Sequence, residues 1–137
     1  MKKVILILAI AAITAVSGFA QAKLTITVHN IQSSEGKILI SLFNSEENFL
    51  EKAYLKTNAK AEQGQMQFEF DNVPKGKYTI SVVHDKNANG SLDKNMIGIP
   101  TEPYGISMEG KSYFGPPSYE DAVFEVADQA LALEINL

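Results

Sequence analysis

Short bursts of apolar and polar alternation, each closed by turn residues, most constrain what this chain can fold into. Leu24, Ile26 and Val28 alternate with Thr25, Thr27 and His29. The same period returns at Ile38–Leu42, Met66–Phe70, Tyr78–His84, Ala122–Val126 and Leu131–Leu137. A two-residue period puts successive side chains on opposite faces of a strand, one face for a core and one for water. Without a strand-helix-strand rhythm, the pattern predicts an all-β fold, an antiparallel two-sheet sandwich of immunoglobulin-like or prealbumin-like outline, with a small barrel as the alternative.

Turn residues suggest the pairing. Ser33-Ser34-Glu35-Gly36 lies between the first two strands and predicts a hairpin, and Asp128-Gln129 predicts a second hairpin at the end of the chain. Ser45 reads as an N-cap before Glu46 and Glu47, with Phe49, Leu50, Ala53 and Tyr54 at helical spacing, so one short helix is expected there. Residues 55–64 are polar and fit an edge strand. Val73-Pro74-Lys75-Gly76-Lys77-Tyr78 is a tight turn into a strand, a place where a tyrosine ring packs inward and its hydroxyl bonds backbone across the corner.

The N-terminus has another character. Met1-Lys2-Lys3, an apolar run from Val4 to Val16, and Ala20-Gln21-Ala22 form a secretory signal peptide pattern over residues 1–22, with cleavage after Ala22. The apolar run is too short to span a bilayer, so no transmembrane helix is expected in the mature chain. Residues 23–137 then form one domain, exported to a periplasmic or extracellular site. The sequence has no cysteine, so neither a lipidated N-terminus nor a disulfide supports it. All its basic residues are lysines, and the formal net charge of −4 becomes more negative once Lys2 and Lys3 leave. Lacking the guanidinium fork, and with acidic excess, the chain is not expected to bind nucleic acid, and its net charge argues against anionic lipid.

The most informative loop follows the strand that ends at His84. Asp85, Asn87, Asn89 and Asp93 occupy the first, third, fifth and ninth positions, with Gly90 at the sixth, and Ser91 offers a backbone carbonyl. That spacing wraps a calcium ion in oxygens. The twelfth position is Met96 where an EF-hand needs a bidentate glutamate, and no helices flank the loop, so an EF-hand is excluded. Two readings stand side by side: a weak calcium loop with Asp85, Asn87, Asn89, Ser91 and Asp93 as ligands, or an Asx-rich turn whose side chains bond their own backbone. A long Gly/Pro/aromatic loop follows, punctuated by Gly98, Pro100, Pro103, Gly105, Gly110, Gly115, Pro116 and Pro117.

These motifs, Val83-His84-Asp85 through Asp93, Gly98-Ile99-Pro100, Pro103-Tyr104-Gly105-Ile106-Ser107 and Phe114-Gly115-Pro116-Pro117-Ser118-Tyr119-Glu120-Asp121-Ala122, resemble the bacterial secreted family catalogued as domain of unknown function 2141. The resemblance covers nearly the whole mature chain and implies a secreted β-sandwich, without a reaction. Ile106 and Met108 stand where that family usually has Phe and Asn. The Pro74-x-Gly76-x-Tyr78 turn is also similar to transthyretin-like sandwiches. Their hydroxyisourate-hydrolysing relative depends on arginine and a C-terminal Tyr-Arg-Gly-Ser, which this sequence lacks, so that activity is not implied.

Two function classes follow. The first is a non-enzymatic binding or structural module for an extracytoplasmic protein or glycan, with His84, Tyr104, Tyr113, Phe114 and Tyr119 as the candidate interaction face. The second is a small hydrolase using His84 with Asp85, Asp93 or Glu120. The first is preferred, because no nucleophile motif, HExxH or adequate histidine set is present. His84 shares a face with Tyr78, Ile80 and Val82, which favours a structural histidine over a catalyst, and His29 lies on a polar face with no expected role.

Overall fold

A computed structural model describes residues 21–110, 115 and 117–137. The strands are β1 (Gln21–Ile31), β2 (Lys37–Phe43), β3 (Leu55–Lys60), β4 (Gly64–Pro74), β5 (Gly76–Asp85), β6 (Tyr104–Ile106), β7 (Phe124–Val126) and β8 (Leu131–Asn136). They form a three-stranded sheet in the order β4-β1-β8 and a five-stranded sheet in the order β3-β2-β5-β6, with β7 also paired to β5. This is the expected two-sheet, all-β sandwich. Its core lies between the sheets, where Leu24, Ile26 and Val28 of one face Ile38, Ile40, Leu42, Ile80 and Val82 of the other, all fully buried.

The strand faces follow the alternation, but two expected hairpins and one strand direction differ. The first two strands do not form a hairpin: β1 pairs with β4 and β8, and β2 with β3 and β5. The turn between them crosses from one sheet to the other and docks on the end of β5. There the Glu35 carbonyl lies 2.8 Å from His84 Nε2, and Gly36, at φ 69°, sits so close that a Cβ would fall 2.0 Å from the Asp85 carbonyl oxygen. The C-terminal hairpin is likewise absent. β7 extends the edge of β5 while β8 crosses to lie beside β1, and the β1–β8 pair is parallel, so the sandwich is not wholly antiparallel. A two-residue period specifies which side chains face inward, but neither partner nor direction.

The short helix is also elsewhere. Ser45 Oγ does accept the Asn48 N–H at 3.3 Å, as a cap should, but the chain makes only tight turns before Leu50 reverses it at φ 62°. Helical structure is found instead at a 3-10 turn, Ser107–Glu109, and at α1 (Tyr119–Ala122). Between them and β5 sits Ser107, fully buried, whose hydroxyl accepts the Ile80 N–H at 3.0 Å and donates to the Ala122 carbonyl at 2.6 Å. The polar 55–64 segment does supply an edge strand, β3, and the corner tyrosine behaves as expected: Tyr78 is buried and its hydroxyl donates to the Pro74 carbonyl at 2.7 Å. Among the described residues no helix is long and apolar enough to cross a membrane.

Candidate functional site

The outer face of the second sheet is built from three rows fixed by strand register. Lys60 and Lys37 lead to Asp85; Asn58 and Leu39 lead to Val83 and Tyr104; Lys56 and Ser41 lead to Ser81 and Ile106. The middle rows are only partly covered, since Leu39, Ser41, Ser81, Val83 and Tyr104 are all of intermediate exposure. Above them opens a groove of about 870 Å³. One wall is the segment after β5, including Leu92, Lys94, Ile97 and Ile99, and the other includes Leu50 and Ala53. A stack of Tyr119, Phe49 and Phe43, with ring centroids 5.8 and 5.9 Å apart and near-perpendicular planes, packs over the Phe43 end of this face.

The Asp/Asn loop forms one shoulder of the groove, and its side chains bond one another and the backbone. Asp85 is fully buried, and its carboxylate accepts the Asn89 N–H at 3.1 Å and the Gly90 N–H at 2.7 Å. Asn87 and Asn89 accept the N–H two residues on, at 3.2 and 3.0 Å, in successive Asx turns. Both oxygens of Asp93 take side-chain amides, one from Asn87 and one from Asn89. Asn87, Asn89 and Asp93 are thus joined side chain to side chain, Asp85 holds the backbone beneath them, and Gly90 turns the chain at φ 85°.

Glu102, which sequence reading passed over, holds this loop shut. It is 9 % exposed, and its two carboxylate oxygens accept the Lys86 N–H at 2.9 Å and the Asp93 N–H at 3.0 Å, one at each end of the loop. A single acidic residue between Thr101 and Pro103 carries no periodic or motif signal, so only the fold reveals it.

His84 points the other way. It lies in the core with no exposed surface, Nε2 on the Glu35 carbonyl and Nδ1 without a hydrogen-bond partner among the described residues. With a carbonyl as its only contact, Nε2 carries the proton and Nδ1 is the bare acceptor. His29 faces outward on β1, 3.4 Å from Glu134. Of the other interaction-face candidates, Tyr104 lines the groove and Tyr119 stacks on Phe49, while Tyr113 and Phe114 lie outside the described residues. Glu120 and Asp121 are exposed in α1.

Charge is unevenly divided between the two outer faces. The second sheet presents Lys37, Lys56 and Lys60, with Lys86 and Lys94 on the adjoining segment; Asp85 and Glu102 there are buried, leaving the half-exposed Asp93 and the exposed Glu51 of the groove wall as the acidic groups among them. The first sheet presents Glu69, Asp71 and Glu134, with Lys23 bound to Glu69 at 3.0 Å. The net negative charge thus hides a basic face.

No curated protein and no solved structure matches the chain. A family model described as an uncharacterized protein conserved in bacteria (DUF2141) matches residues 26–134.

Proposed function

The chain belongs to that DUF2141 family, and from this we propose that it is an exported, non-enzymatic binding module whose ligand face is the groove on the outside of the second sheet. The observation that carries the reading is the groove itself, with its partly uncovered floor of Leu39, Val83 and Tyr104. A concave site with apolar side chains for contact and polar ones, here Ser41 and Ser81 in the floor and Glu51, Lys56 and Lys94 around it, is a usual form of ligand site. Export is supported by the basic, apolar and small-residue pattern of residues 1–22. Cleavage after Ala22 leaves β1 its pairs from Leu24 onward.

Of the groups the hydrolase reading used, His84 is inside the core, Asp85 has its oxygens on backbone N–H groups, Asp93 has its oxygens on the Asn87 and Asn89 amides, and Glu120 is exposed on α1. The partner is an extracytoplasmic protein or a glycan. The test is a photo-crosslinking residue at Leu39, compared with one at Thr27 on the opposite outer face, in the native host. Adducts of discrete mass from position 39, abolished by Val83→Asp and absent at position 27, are expected. Equal labelling at both positions, or none at position 39, would refute the assignment.

The same loop is proposed to take calcium as a structural ion. The spacing of Asp85, Asn87, Asn89 and Asp93 supports the reading, and the Asn87 and Asn89 side chains both reach the Asp93 carboxylate. Binding would replace the Asn87 and Asn89 amides on the Asp93 carboxylate by the cation and draw the two amide oxygens out of their Asx turns, so it requires the loop to rearrange. When bound, calcium supplies cohesion to the loop and no chemistry.

A further inference from the structure

At the rim of the groove, the segment between β5 and β6 carries a projection whose tip, Met96, lies outside the groove lining. Lys94 and Pro100 form an antiparallel bridge, and the chain between them turns tightly at its tip. Met96 is fully exposed, Ile97 is 79 % exposed and Ile99 54 %. Ile97 and Ile99 belong to the groove wall, but Met96 does not. Three large apolar side chains on one solvent-facing turn require a partner to cover them.

The turn is closed by its own bonds. Asn95 Oδ1 accepts the Ile97 and Ile99 N–H groups at 3.1 and 3.0 Å, the Asn95 carbonyl accepts Gly98 N–H at 3.0 Å, and the Ile99 carbonyl accepts Asn95 N–H at 2.8 Å. Backbone satisfied in this way can leave water at low cost. The charges of residues 86–101 are the exposed Lys86 and Lys94 and one half-exposed carboxylate, Asp93, which is held by the Asn87 and Asn89 amides, so the segment is net basic. A tip of a few residues is also far smaller than the roughly 800 Å² per partner of a stable protein interface, and it is convex where a protein partner would need a matching pocket.

From this combination we propose that the 94–100 turn is an interfacial anchor. Met96 and Ile97 enter the outer part of a lipid layer, and Lys86 and Lys94 meet anionic headgroups. The local basic charge overrides the acidic net charge because screening confines electrostatics to about 10 Å. Binding is reversible and weak, as a few side chains dictate.

The experiment is sedimentation of the purified protein with vesicles of phosphatidylcholine alone and of phosphatidylcholine mixed with phosphatidylglycerol. The protein is expected to pellet with the mixed vesicles and to be released by salt. Ile97→Asp should weaken binding roughly tenfold or more, and Lys94→Glu should reduce it to the level seen with phosphatidylcholine. Both positions are exposed, so both variants keep the native melting profile. Met96→Trp should give indole fluorescence that shifts to the blue on mixed vesicles, which surface adsorption alone would not produce. Protein left in the supernatant with both vesicle types, undiminished pelleting of Ile97→Asp, or an unshifted Met96→Trp spectrum would overturn the proposal. So would concentration-dependent self-association without vesicles that Ile97→Asp abolishes, since the tip would then cover a second copy. Each of these outcomes leaves the crosslinking test of the groove to stand or fall separately.

Discussion

Replacing Glu102 by glutamine isolates the clasp of the Asp/Asn loop. The change keeps the shape of the side chain, creates no cavity and leaves one oxygen to accept one N–H. The other oxygen becomes an NH2 group facing a backbone donor, either Lys86 N–H or Asp93 N–H, now 2.9 and 3.0 Å from the carboxylate. A hydrogen bond to a charged group contributes about 1.5–3 kcal/mol, and a buried donor left unpaired costs about 1–3 kcal/mol. One bond is lost and the other loses its charge, so the expected destabilisation is about 3 kcal/mol. With a urea slope of about 1.5 kcal/mol/M for a domain of this size, the midpoint should fall by about 2 M with the slope unchanged. Exposed Glu62→Gln is the control and should hardly move it. Hydrogen exchange adds a local reading: protection should collapse at the Lys86 and Asp93 amides before the core strands. Coincident urea curves for Glu102→Gln and Glu62→Gln, with both amides still protected, would show that the loop stands without its clasp.

Thermal melts with calcium, magnesium and chelator should separate: at ten times the Kd, calcium adds about 1.4 kcal/mol, magnesium less, and Asp85→Ala abolishes the gain, whereas three identical curves would remove calcium from the account. Met108→Asn should stabilise by about 1 kcal/mol, read as a melting rise of roughly 4 °C, because Met108 is exposed at φ 57°, where asparagine is more comfortable; a lower melting temperature would contradict this. Burial, with a smaller contribution from Tyr54, raises the pKa of Tyr78 above its ordinary value. Its stabilising contribution is therefore complete below the unfolded value near pH ~10 and is lost as pH rises through the higher folded value. Tyr78→Phe should flatten that alkaline loss in urea melts, and equal slopes for the two proteins would show that the phenol is not responsible.

What was legible in the sequence was whatever depends on one residue and its near neighbours. Alternation at Leu24–Val28 and Tyr78–His84 identified the inward faces, including the buried placement of His84, and the Pro74–Tyr78 turn identified the corner hydrogen bond. The Asp/Asn spacing identified a loop whose Asn87, Asn89 and Asp93 side chains are joined. Partnerships at long range were not legible: β1 with β8, the docking of Glu35 and Gly36 on β5, and Glu102 across the loop all join distant segments. The helix at Ser45 was misplaced because its cap is genuine, yet Phe49 stacks on Phe43 and Leu50 reverses the backbone, so tertiary contact overrides local propensity. The basic face was hidden for a similar reason: net charge sums over a surface that the register then divides.

The parallel seating of β8 beside β1 has a consequence for biogenesis. β1 is the central strand of its sheet, and one of its two edges is covered only by residues 131–136. Until those residues have been synthesised and have left the ribosome, the Leu24–His29 edge has free backbone groups and cannot complete its ladder. Such an edge is a template for pairing with other chains. β1 therefore waits for β8, about a hundred residues further along the chain, before its sheet is complete.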